Sequence, residues 1–285
     1  MKKGPPVSAR FERPASLAAA LPLLARGGWA VLAGGTDVYP AHVGRPLAGP
    51  LLDITGIAEL RGIRRTGSGW SIGAATTWTD VLRADLPPLF DALKQAGREV
   101  GGAQIQNAGT VVGNLCNASP AADGTPVLMA LDAEVVLRSA SAERRVAATG
   151  FVLGNRRTVC APHELVVAVE IPARSARARS IFIKLGGRRY LTISMTMVAV
   201  VTDVDAGGAV VGAGVAVGSC SACARRLPAL ERKLVGLSPG ADLAAAVERS
   251  DLAPLTPIDD LRASAEYRLD ATATLLRRAL RELAR

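Results

Sequence analysis

The chain has 285 residues, 49% hydrophobic and 21% charged, a globular balance that excludes a disordered protein. Its formal charge of +9 is accompanied by only 4% aromatic residues, too few for the base-stacking platforms of a nucleic-acid binder. No run approaches the ~20 apolar residues that a membrane span needs.

Met1-Lys2-Lys3 carries positive charge with no apolar run behind it, unlike a secretory signal, so a cytoplasmic location and free thiols are expected. Ala- and Leu-rich sequence predicts a helix over 15–26, ended by Arg26-Gly27-Gly28. A short apolar strand over 29–33 runs directly into Gly34-Gly35-Thr36-Asp37. A second strand covers 51–54, and 63–66 and 70–74 flank Gly67-Ser68-Gly69 as a hairpin. Helices are predicted over 77–84 and 88–96. Residues 101–125, rich in Gly, Asn, Ser and Ala and poor in charge, read as a long ordered loop. A helix over 126–131 and strands over 133–138 and 165–171 follow, the last stopped by Pro172. The polar stretch 173–180 is the expected domain boundary. Beyond it come strands over 181–184, 194–203 and 209–218, then helices over 227–236, 241–249 and 262–282, which make a small α+β unit.

Two segments carry chemistry. In the first, the Gly34-Gly35 pair brings backbone N–H groups to a turn that suits a pyrophosphate, although an ordinary tight turn has the same sequence. The GxGxxG dinucleotide fingerprint is missing. The second segment runs from Gln106 to Asp123, where Thr110, Asn114 and Ser119 offer phosphate or ribose contacts. Asp123 reads either as an N-terminal helix acid or as a contact to ribose or adenine. Two such segments ~75 residues apart suit a large dinucleotide lying between subdomains. The four cysteines (Cys116, Cys160, Cys220, Cys223) and two histidines (His42, His163) form no metal ligand set and no catalytic cluster.

The run Val31-Leu32-Ala33-Gly34-Gly35-Thr36-Asp37-Val38 resembles the first FAD segment of the flavoprotein subunit of molybdenum hydroxylases, the family of xanthine dehydrogenase and carbon monoxide dehydrogenase. Residues 107–114, Asn-Ala-Gly-Thr-Val-Val-Gly-Asn, with 117–123, Asn-Ala-Ser-Pro-Ala-Ala-Asp, resemble its second. Residues 11–17, 218–231 and 264–268 extend the resemblance over nearly the whole chain. It implies an α+β fold: a two-subdomain, PCMH-type FAD-binding domain over 1–175 (subdomains about 1–55 and 56–175), then a C-terminal domain over 176–285 with a three-stranded antiparallel sheet and helices.

The resemblance also assigns residues to the cofactor. Residues 31–38 wrap the pyrophosphate, while Gly109, Thr110, Gly113, Asn114, Cys116 and Ser119 contact FAD from the second segment, with Asp123 on its ribose side. Val166 packs near the flavin and Lys184 approaches the isoalloxazine, unless it is a snorkelling surface lysine; Tyr190 is a further neighbour or a packing residue. One departure is Val112-Gly113 where the family carries two glycines, so Val112 is expected to point outward or to displace the pyrophosphate. The function implied is non-covalent FAD binding and electron transfer. Electrons from [2Fe–2S] clusters in a small subunit, filled at a molybdenum–pterin centre in a large subunit, pass through FAD to NAD or another acceptor. A self-sufficient flavin oxidase of the related FAD fold, or an assembly subunit without FAD, is the alternative.

Overall fold

The computed structural model describes residues 10–284 apart from 46, 48, 190 and 239–241, so Tyr190 lies outside the described residues. The chain opens with β1 (Phe11–Glu12), α1 (Leu17–Ala25), β2 (Ala30–Leu32), the short α2 (Val38–Ala41) and β3 (Leu51–Asp53). The three strands form a parallel sheet in the order β1-β3-β2. Helix α1 starts where the Ser16 hydroxyl accepts the Ala19 N–H, and it buries Leu17, Ala20, Leu21 and Leu24.

The predicted hairpin is present as β4 (Ile63–Thr66) and β5 (Gly69–Gly73). Five helices follow: α3 (Trp78–Arg83), α4 (Asp91–Glu99), α5 (Ala103–Ala108), α6 (Val111–Asn117) and α7 (Gly124–Ala130). The expected loop over 101–125 is therefore mostly helical. Helices this short are marginal on their own and depend on packing, here through Val111, Val112 and Leu115, all buried. After them come β6 (Glu134–Arg138), β7 (Glu143–Ala147), α8 (Ala148–Phe151), a small hairpin of β8 (Val152–Gly154) and β9 (Arg157–Thr158), and β10 (Leu165–Pro172). The second sheet is antiparallel, in the order β4-β5-β10-β6-β7.

The C-terminal part holds β11 (Arg179–Leu185), β12 (Thr196–Val204), β13 (Val210–Gly218) and a two-residue β14 (Arg225–Arg226) in one antiparallel sheet, so a short fourth strand joins the expected three. Helices α9 (Pro228–Leu234) and α10 (Ala265–Leu283) cover one face. Between them, where one helix was expected over 241–249, stand two 3-10 turns, Leu243–Ala246 and Arg249–Leu252. Asp242 and Glu248 each start a turn of their own, which breaks the longer helix.

The alternation of a strand explains how the parts join. Along β12, Met197, Ala199 and Val201 enter the core shared with α4 and α7, while Val198 and Val200 enter the core beneath α9 and α10. The third sheet is thus buried on both faces.

Candidate functional site

The first segment lies between β2 and α2. Gly35 has φ +70°, and a Cβ there would come 2.4 Å from the Tyr39 ring. A Cβ on Gly34 would come 1.8 Å from the carbonyl oxygen of Ala108, in the second segment. Both glycines are therefore required by the chain itself: one by its turn, the other by the contact that brings the two segments together.

The second segment is fixed on its other side. The Trp78 N–H donates to the Gly109 carbonyl at 3.0 Å, and the Val111 N–H to the Thr76 carbonyl at 3.1 Å. Thr110 caps α6 by accepting the Gly113 N–H at 2.9 Å. Asn114 Oδ1 accepts the Gly124 N–H at 3.0 Å, tying α6 to the start of α7. Val112, expected to point outward or to displace the pyrophosphate, is 3% exposed, lies inside α6 with no left-handed backbone and borders the cavity, so the helix accommodates valine without backbone strain.

Together the segments enclose a cavity of about 530 Å³. Of the residues expected at the cofactor, Val31, Ala33, Gly34, Gly35, Thr36, Asp37, Val38, Gly109, Thr110, Gly113, Asn114, Cys116 and Val166 line it. Leu32 alternates away from it into the core, and Ser119, Asp123 and Lys184 also stand outside its lining. Sequence reading missed the apolar walls Ile54, Trp78 and Ile105, and the polar rim of Asn117, Thr158, Cys160 and Glu164. These come from separate elements: Ile54 follows β3, Trp78 opens α3, Ile105 lies on α5, Asn117 ends α6, and Thr158, Cys160 and Glu164 come from β9 and the turn after it.

Glu164 is bound by both arms of the Arg144 guanidinium, at 2.6 and 2.7 Å, and accepts the Ala161 N–H at 2.8 Å. The Arg144 hydrogen bond holds its carboxyl below the usual range. Burial, helped by the Glu164 charge, pushes the Cys160 thiol up to about 11. Asp123 is buried, and burial pushes its carboxyl upward. Opposing that, Lys184 Nζ lies 2.8 Å from Oδ2 and the Ser194 hydroxyl donates to Oδ1 at 3.0 Å. This pair joins the third sheet to the segment that leads into α7. At the rim, Asn117 Nδ2 donates to Asp37 Oδ1 at 2.9 Å, and Arg156 donates to Asn117 Oδ1. Among the described residues no group of three or more His, Cys, Asp or Glu is placed to hold a metal ion, and no helix is long and apolar enough to cross a membrane.

Residues 7–174 match the family described as the FAD binding domain in molybdopterin dehydrogenase, and residues 181–283 match the CO dehydrogenase flavoprotein C-terminal domain. The chain is 30% identical to the glyceraldehyde dehydrogenase medium chain of Sulfolobus acidocaldarius, covering 89% of this chain and 90% of that one. It is likewise 30% identical to the carbon monoxide dehydrogenase medium chain of Hydrogenophaga pseudoflava, over 95% and 96% of the two chains. In three dimensions it is similar to a solved carbon monoxide dehydrogenase from Hydrogenophaga pseudoflava, with a TM-score of 0.83 at 30% identity over 98% of each chain. A reconstituted CO dehydrogenase from Oligotropha carboxidovorans gives a TM-score of 0.86 at 27% identity over 99% of each.

Proposed function

Because the chain belongs to the FAD-binding medium subunits of the molybdenum hydroxylase family, we propose that it holds FAD non-covalently in the cavity between its two glycine-bearing segments and relays electrons through it. The observation that carries this reading is the cavity itself, closed by the contact of Gly34 with the Ala108 carbonyl. Its residues fit the cofactor. Val31, Ile54, Trp78 and Val166 offer apolar wall to a ring, and Thr36, Thr110, Asn114 and Asn117 offer hydrogen bonds to a polar linker.

FAD supplies the exchange between one-electron carriers and two-electron acceptors. The residues of this chain bind and orient it. With its oxygen engaged by Gly124, Asn114 keeps its amide nitrogen for a ligand oxygen. Glu164, neutralised by Arg144, shapes the wall without adding net charge. Asp123 and Lys184, with Ser119 nearby in sequence, form an outer support behind Asn114 and orient the C-terminal domain (176–285) against the FAD domain (1–175).

The partners in this reading are an iron–sulfur small subunit and a molybdenum large subunit, in the cytoplasm, and the electrons leave to NAD or another acceptor. Support comes from the relatives, which are medium chains of dehydrogenases. Two measurements test the reading. Acid precipitation of the purified chain is expected to release FAD into the supernatant at one per chain, and absence of flavin would end the proposal. A chemical donor is expected to bleach that flavin, whereas candidate hydroxylase substrates bleach it only once the cluster and molybdenum subunits are added. Substrate-driven bleaching of the chain alone would favour the self-sufficient flavin oxidase.

A further inference from the structure

The cavity has a charge deficit. Among the described residues that line it, the charged side chains are Asp37 and Glu164, both acidic, and Glu164 is already satisfied by Arg144. A diphosphate placed there meets the Asp37 carboxylate, which no cation of the lining offsets. Just outside the lining, at the tip of the β8–β9 hairpin, stands Arg156. Its backbone is left-handed, with φ +59°, a conformation that few residues other than glycine adopt and that tends to mark functional positions. Its N–H donates to the Ala118 carbonyl at 3.0 Å, which fixes the hairpin against the end of α6. The guanidinium reaches over the rim, donating to Asn117 Oδ1, with Nη2 3.8 Å from Asp37 Oδ1.

The Arg156–Asp37 pair is long and exposed, the kind of contact that contributes little to stability. Arginine bonds phosphate oxygens in a two-pronged, charge-assisted manner, which is stronger. We propose that Arg156 is the cation of the cofactor site: on loading, its guanidinium leaves Asp37 for the cofactor's diphosphate, with Asn117 as the pivot. The inference rests on the FAD reading above and adds the residue that neutralises the phosphates. It also explains why an arginine occupies a turn position suited to glycine. The backbone conformation aims a long cationic side chain back over the rim.

The test uses the full chain freed of flavin and titrated with FAD and with riboflavin, which has no phosphate. Arg156→Gly suits the left-handed backbone and keeps the N–H bond to Ala118, so the hairpin is expected to fold, with riboflavin binding as the check, and Arg156→Lys keeps the charge. Arg156→Gly is expected to weaken FAD about 10- to 30-fold, with a flatter dependence on salt, while riboflavin changes less than about twofold. Arg156→Lys is expected to recover part of the FAD affinity and most of the salt dependence. Unchanged FAD binding in Arg156→Gly, or an equal loss for riboflavin, overturns the inference. A wild-type chain that binds no flavin overturns the FAD reading instead, and is recognised by the unmodified protein alone.

Discussion

Lys184 Nζ lies 2.8 Å from Asp123 Oδ2, and both side chains are almost wholly buried, at 6% and 8% exposure. The two residues are 61 positions apart, one on β11 and one at the start of α7, so this pair is an internal tie between the third sheet and the cofactor-bearing part of the chain. Lys184→Met removes the cation and leaves the carboxylate buried, with Ser194 as its remaining side-chain partner. Loss of one partner of a buried pair costs about 3–5 kcal/mol, so urea unfolding at pH 7 is expected to show a loss of that size. The sign with pH follows from burial, which raises the Asp123 carboxyl in the folded state. An acid raised in the folded state holds its stability below its unfolded value, about 3.9, and loses it as pH rises. Lys184 opposes that rise by its charge and hydrogen bond, so the carboxyl stands higher still in Lys184→Met, and the gap to wild type is expected to narrow toward pH 4. A pH-independent loss, or one under about 1 kcal/mol, would show that water reaches the pair.

Gly34→Ala is expected to separate the two segments of the cavity. The new Cβ has no room 1.8 Å from the Ala108 carbonyl oxygen, and a backbone cannot yield as a flexible side chain does. Flavin occupancy of the purified variant should fall sharply while the far-UV circular dichroism remains that of wild type. Gly35→Val has a second cost, since its φ of +70° resists any L side chain by about 1 kcal/mol or more. Full occupancy in Gly34→Ala would mean that the cavity does not depend on this contact.

What could be read from the sequence was local. Gly34-Gly35 after an apolar strand marks a turn at a strand end, and thirteen of the expected cofactor residues do line one cavity. The strands of the third sheet were legible because β12 is apolar on both faces, as burial on both sides demands. The helices within 101–125 were not, because their glycines and amides lower intrinsic propensity and their stability comes from packing. Nor was the pairing of Asp123 with Lys184, a contact made by the fold between residues whose separate patterns fit a helix acid and a surface lysine. Arg156 carried no signal at all, since one arginine among 29 shows its role only by its φ and its reach toward Asp37.

Val112→Gly follows from the helix rather than from the family pattern. If Val112 displaced the pyrophosphate, as its departure from the family pattern allows, glycine there would tighten FAD. In the structure Val112 is 3% exposed, inside α6, and forms part of the cavity wall. Replacing it removes a buried side chain, about 1.5–3 kcal/mol, and places glycine within a helix, about 1 kcal/mol more. The variant is expected to unfold at lower urea by the combined amount and to bind FAD no more tightly than wild type. Tighter FAD binding with unchanged stability would show that valine is a compromise imposed on the ligand.

Cys160 gives the cavity a chemical reporter. Burial and the neighbouring Glu164 carboxylate raise its thiol to about 11, with Arg144 opposing. Only the thiolate attacks an alkylating agent, so at pH 8 the reactive fraction is on the order of one in a thousand, against roughly a quarter for an unperturbed thiol. Iodoacetamide labelling at Cys160, followed by mass spectrometry, is expected to be slow at pH 8 and to climb steeply between pH 10 and 11. Stability carries the same sign. Below about 8.5 both folded and unfolded chains keep the proton; as pH rises from there toward 11 the unfolded chain ionises first, and the folded state loses ground. Cys160→Ala is expected to lose less stability over that interval than wild type does. Because Cys160 lines the cavity, bound FAD should slow its labelling further at every pH. Rapid labelling at pH 8 that FAD does not slow would mean that the thiol lies open to solvent, outside the cofactor's reach.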